Sequence, residues 1–196
     1  MNRRDALMRV AALVGTTLTL PALADTLEAS AARRALSGKP LLFTADQDTM
    51  VAEMTEVIIP TTSTPGAKAA KVNEIIDIIL KECYPQKEQK LFLDGLAHTN
   101  ELSQAAYSKN FVALDEKQRH EIMTKLQSEA AEQRKAMASL PAEKRYTPFF
   151  NTLKSLTLNG YFTSEIGATQ ALSYIAVPGR FEGCIDLKPG QKAWAT

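Results

Sequence analysis

Prolines punctuate a helical rhythm along this chain, and that combination constrains the fold more than any other feature. Met50, Val51, Met54, Val57 and Ile58 fall on one face at 3.6 residues per turn, which predicts a helix beginning at Thr44. Thr44-Ala45-Asp46-Gln47 suits a capping box, with the Thr44 hydroxyl accepting from the backbone and Gln47 reaching back. Pro60 stops this helix, and Thr61 to Gly66 reads as a turn-rich loop. A second helix is predicted from about Val72 to Cys83, with Ile75, Ile76, Ile79 and Leu80 as its stripe and Pro85 at its end. Its many β-branched residues would also suit a strand, but the i, i+3, i+4 spacing and flanking charges favour helix.

Three longer patterns follow. Gln86 to about Tyr107 carries Leu91, Phe92, Leu96 and Leu102. Asp115-Glu116-Lys117-Gln118 caps a helix with Ile122, Met123 and Leu126, continuing to about Met137. Pro141 to Asn159 carries Phe149, Phe150, Leu153, Leu156 and Leu158, with Gly160 placed as its C-terminal stop. Ser164 is positioned to cap a last short helix through Tyr174, and the segment from Val177 to Cys184 is irregular. No period-2 run is long enough for a sheet. The expected fold is all-α: a single compact helical domain of about five to six helices with an irregular C-terminal tail.

The first 24 residues have a different character. Arg3-Arg4 is followed by a short apolar run from Val10 to Leu20, interrupted by Gly15, Thr16, Thr17 and Thr19, and then by Pro21-Ala22-Leu23-Ala24. A charged region, a short apolar region and an A-x-A site with Ala22 and Ala24 define a secretory signal. The arginine pair makes it a twin-arginine signal, which predicts a periplasmic destination. An ordinary secretion signal or an uncleaved anchor are the competing readings; the run is too short and polar for a dependable membrane span. The expected organisation is a signal over 1–24, a flexible Ala/Ser/Arg-rich lead-in over 25–42 and a helical domain over 43–196.

Charge narrows the partners. The chain holds 23 basic and 22 acidic residues. Without Arg3, Arg4, Arg9 and Asp5 the remainder holds 20 and 21, a net charge of −1. That balance leaves no electrostatic footprint for nucleic acid and no polybasic membrane patch. Apolar residues make up 45%, enough for a buried core.

Motifs that carry chemistry are missing. There is no G-x-G-x-x-G, no phosphate-cradling G-x-x-x-x-G-K-[ST] and no C-x-x-C-H. The two histidines, His98 and His120, each stand alone in a polar helical context and read as solvent-facing. A metal site needs several ligands at suitable spacing. The expectation is therefore no catalytic residue, no metal and no cofactor in this chain. Cys83 and Cys184 form an even count in an exported protein, which invites a disulfide. Such a bond would close a loop of about 100 residues and contribute roughly 4–5 kcal/mol at most. Two free thiols buried apart are the alternative. Leu156 to Gly167 has unusual composition, with Gly160-Tyr161-Phe162 at a helix junction. Aromatics there can be a packed corner of the core or anchors at a protein interface. Glu165 fits the first turn of the following helix, where the dipole favours a carboxylate.

Three ordered segments carry a resemblance to a known family. Ile58-Ile59-Pro60-Thr61-Thr62-Ser63-Thr64-Pro65-Gly66-Ala67 resembles the IIPxTDTPGA signature of the gluconate 2-dehydrogenase subunit 3 family, with Ser63 where Asp is common. Cys83-Tyr84-Pro85 is similar as well, as are Leu156 to Gly167 and Val177-Pro178-Gly179-Arg180-Phe181-Glu182-Gly183-Cys184. The resemblance spans about Phe43 to Leu187.

It implies the small, or gamma, subunit of a periplasmic flavin-dependent dehydrogenase acting on sugars, polyols or sugar acids. FAD would sit in a large subunit of the glucose-methanol-choline oxidoreductase type, and haem c in a cytochrome that takes the electrons. The small subunit would support maturation of the large one and carry it through the twin-arginine pathway, with any membrane association arising through the complex. The implied role is accessory and non-catalytic. Tyr161, Phe162, Glu165, Pro178 and Arg180 are the candidate partner-facing residues. The competing expectation is a stand-alone periplasmic enzyme or a small-ligand-binding helical protein with an unrecognised site.

Overall fold

A computed structural model describes residues 40–177, 179, 184 and 186–195. The leader residues Arg3, Arg4, Ala22 and Ala24, and also Pro178 and Arg180, lie outside them. The described residues from 40 onward form one compact unit. Five α-helices occur among the described residues: α1 (Ala45–Ile58), α2 (Val72–Cys83), α3 (Gln86–Tyr107), α4 (Glu116–Ala138) and α5 (Phe149–Thr163). No strand forms among them, and a single isolated parallel bridge joins Ser173 to Trp194. The all-α expectation is correct.

Local chemistry explains most helix ends. Thr44 and Gln47 form the expected capping box on α1, and Asp115 and Gln118 form one on α4. Each box satisfies two backbone donors that a helix start leaves unpaired. The N-terminus of α2 lacks such a cap; Lys71 takes the left-handed conformation instead. At the end of α4, Arg145 donates to Ala138 O, the last helical carbonyl, at 3.1 Å and to Leu140 O just past it at 2.8 Å.

Two expected boundaries are corrected. The last long helix begins at Phe149, not near Pro141, because Pro148 occupies its N-cap. A proline drives the residue before it out of the helical region, so a helix cannot run through Thr147 into Pro148. Residues Ala142–Lys144 form only a short 3-10 turn. At its other end α5 runs through Gly160 to Thr163. Gly160 serves as a contact, not a stop. A Cβ there would lie 3.2 Å from Val72 Cγ1, so its absence lets α2 approach α5 closely. The short helix expected from Ser164 to Tyr174 forms as far as a π turn over Gly167–Ala171, with Ser164 Oγ accepting from Gly167 N at 3.0 Å.

Helices α1 and α5 are the hub: α1 packs on α2, α4 and α5, and α5 also packs on α2, α3 and α4. Met50, Val51 and Met54 of α1 meet Val72, Ile76 and Leu80 of α2, Phe92 and Leu96 of α3, Ile122 and Leu126 of α4, and Leu153 and Leu156 of α5 in one core. Phe92 stacks on Phe43 and meets Phe149 edge-on with centroids 5.0 Å apart. Polar groups in the core are satisfied nearby. The hydroxyls of Thr55, Thr99, Ser103 and Thr157 each donate to a carbonyl in the preceding turn of their own helix. The lead-in joins this body earlier than expected. Buried Asp77 on α2 accepts from the amides of Leu41, Leu42 and Phe43. No helix among the described residues is long and apolar enough to cross a membrane.

Candidate functional site

The segment after α1 is built around one carboxylate. Glu56, on the last turn of α1, accepts from Thr61 N at 2.8 Å and Thr61 Oγ1 at 2.7 Å through one oxygen, and from Lys68 N at 2.9 Å through the other. A Cβ on Gly66 would fall 2.4 Å from Glu56 Oε1, so only glycine lets the chain pass the carboxylate. Partial burial pushes the Glu56 carboxyl up, but the hydrogen bonds from Thr61 and Lys68 and the Lys68 charge outweigh it. Its pKa lies below the ordinary carboxylate value. Nearby, Glu53 is paired with both Lys68 and Arg119 at 2.5 Å, and Arg119 also donates to Val112 O at 2.7 Å, tying α1 and the loop to α4. With their oxygens so engaged, these acids hold α1, the loop and α4 together. Ser63, the departure from the family pattern, is exposed in this loop.

Tyr161 completes the arrangement from the far end of the chain. It is 1% exposed and its hydroxyl donates to Pro65 O at 2.6 Å. This corrects its expected place among the partner-facing residues: the ring is core, and it joins α5 to the loop. Phe162 meets Tyr161 edge-on at 5.3 Å but is 41% exposed. Glu165 is exposed just beyond α5. Adjacent residues on a helix point about 100° apart, so Tyr161 and Phe162 take opposite roles.

The outer side of α5 is open. Asn151, Lys154, Ser155 and Leu158 form one wall of a groove of about 370 Å³, and Gln127, Ala131 and Arg134 of α4 form the other. On the neighbouring α3–α4 face, His98 is exposed as expected, yet its Nε2 lies 2.9 Å from Glu129 Oε2 and its Nδ1 3.7 Å from Glu101. His120 is exposed. Among the described residues, no group of three His, Cys, Asp or Glu side chains is placed to hold a metal ion. Cys83 and Cys184 are both free and exposed in this structure, which shows no bond between them, and neither is a buried thiol.

The family model for gluconate 2-dehydrogenase subunit 3 matches residues 45–179, well over half of the chain and all five helices. The chain belongs to the gluconate 2-dehydrogenase subunit 3 family. No curated protein and no solved structure matches it. The match to a gluconate 2-dehydrogenase subunit 3 begins with the first residue of α1, spans the Glu56 loop and ends in the tail. As the family name states, its members are subunits of a dehydrogenase complex.

Proposed function

We propose that this chain is the non-catalytic accessory subunit of a periplasmic flavin-dependent sugar, polyol or sugar-acid dehydrogenase, and that it supports maturation and twin-arginine export of the FAD-bearing large subunit. The family match over residues 45–179 carries the reading. The twin-arginine leader with Arg3 and Arg4 supports the export half of it. The inward-turned polar chemistry around Glu53, Glu56 and Tyr161 supports the accessory half, because these groups are engaged in holding the fold together. In this reading FAD resides in the large subunit, and a cytochrome c receives the electrons.

The test is a strain lacking this chain. The flavoprotein should then stay in the cytoplasm or reach the periplasm inactive, and restoring the chain should restore it. Changing Arg3 and Arg4 together to Lys should retain both proteins in the cytoplasm. Active flavoprotein in the periplasm of the deletion strain would overturn the escort role. Sugar oxidation by the purified chain alone would overturn its assignment as non-catalytic.

A further inference from the structure

The groove between α4 and α5 has no occupant in this chain, and its chemistry specifies one. Gln127, Ala131 and Arg134 stand at i, i+4 and i+7 along α4. Asn151, Lys154/Ser155 and Leu158 keep the same step along α5. Two helical faces with matched spacing make a trough of the kind that seats an amphipathic helix. Ala131 and Ser155 are small, and the mostly buried Phe150 adds an apolar ring to the lining. Leu158 and Phe162, 38% and 41% exposed, extend the α5 wall as an apolar strip. From Asn151 to Phe162 this face runs about 16 Å.

Charge selects the partner. Arg134 and Lys154 stand one on each wall, no acid lines the groove, and neither cation has a carboxylate within ion-pairing distance among the described residues. A second copy docked face to face about a two-fold axis would set these cations against their own equivalents, which is unfavourable. A small anion would meet two exposed cations in an open trough, where water and salt screen the attraction, and it would leave Leu158 and Phe162 uncovered. A segment presenting both acidic and apolar residues satisfies the whole surface.

We propose that the α4/α5 groove, with Arg134 and Lys154 on its walls and Leu158 and Phe162 extending it, seats an acidic amphipathic segment of the catalytic large subunit. This rests on the accessory-subunit reading given above. The groove confers affinity through Leu158 and Phe162, and orientation and encounter rate through the two cations.

The experiment measures binding of the purified full chain to the purified flavoprotein subunit across a salt series. Arg134→Glu/Lys154→Glu should bind about a hundredfold more weakly, roughly tenfold per reversed charge, with a flattened salt dependence. Arg134→Gln/Lys154→Gln should fall between this variant and wild type. Lys117→Glu, the same charge change at the opposite end of α4, should bind as wild type does. Unchanged melting temperatures would establish that all variants are folded, and the neutral pair provides the measurement should the reversed pair melt early. If the wild-type chain binds and the charge-reversed and neutral pairs bind equally well with the same salt slope, the groove is not the seat, while the accessory role stands. If the wild-type chain does not bind the flavoprotein at all, both readings fall. A wild-type chain that dimerises on its own, and is made monomeric by the charge reversals, would overturn the proposal in favour of self-association.

Discussion

The loop after α1 and the described residues of the tail after α5 are built in opposite ways. In the loop, Glu56 binds Thr61 and Lys68, Gly66 packs against the carboxylate, and Tyr161 reaches in from 96 residues away. In the tail, Tyr174, Ile175, Val177 and Leu187 are 53–83% exposed, and the Ser173–Trp194 bridge is its regular pairing among the described residues. One chain can therefore hold a knot of internal bonds in one segment and outward apolar side chains in another. Resemblance alone does not distinguish the two; burial does.

Mutations should separate them sharply. Tyr161→Ala removes a fully buried ring together with its hydrogen bond, and should cost about 3–5 kcal/mol in urea unfolding. Phe162→Ala, one residue on, should cost only about 1 kcal/mol of stability, for a half-exposed ring and its edge-on contact, and weaken binding to the large subunit instead. Equal losses of stability at both positions would erase the distinction drawn between these neighbours.

Gly66→Ala should cost about 1–3 kcal/mol, because the added methyl must displace the Glu56 carboxylate or the Thr61 backbone. Glu56→Gln should cost roughly 1 kcal/mol near neutral pH. It should also change the acid limb. The folded pKa of Glu56 lies below 4.5, so its contribution is present above that value and is lost as pH falls through the folded pKa. The stability difference between wild type and Glu56→Gln should therefore narrow below about pH 4.5. A gap that stays constant down to pH 2 would show that Glu56 gains nothing from ionisation. The smallest effect is expected in the tail, where Ile175→Ser and Val177→Ser should each shift stability by no more than about 0.5 kcal/mol. A larger loss there would show that the tail is packed as the loop is.

How much of this was legible beforehand depended on sequence distance. The ends of α1 and α4 were readable because Thr44 with Gln47, and Asp115 with Gln118, act within a single turn. The start of α5 differs from the expected Pro141 because Pro148, seven residues on, sets the N-cap and the residue before it cannot be helical. Gly160 was misread because its meaning depends on Val72, which no local pattern connects to it. The same holds for Tyr161, whose partner is Pro65, and for His98, whose partner is Glu129. Had α5 been extended past Gly160, helical geometry alone would have placed Tyr161 and Phe162 on different faces. The α4/α5 groove was invisible for a related reason. Arg134 and Lys154 belong to different helices, and only tertiary packing makes them two walls of one trough.

Asp77 holds the entry to the domain by the backbone amides of three successive residues, without using their side chains. Such a clasp recognises the path of the chain and is blind to its spelling. Residues 41 and 42, whose side chains are not fully enclosed, can drift in identity without loosening the clasp, and proline is the one substitution that removes a donor outright. The sequence places Pro40 immediately before the first of the three amides, the last position where it costs the clasp nothing.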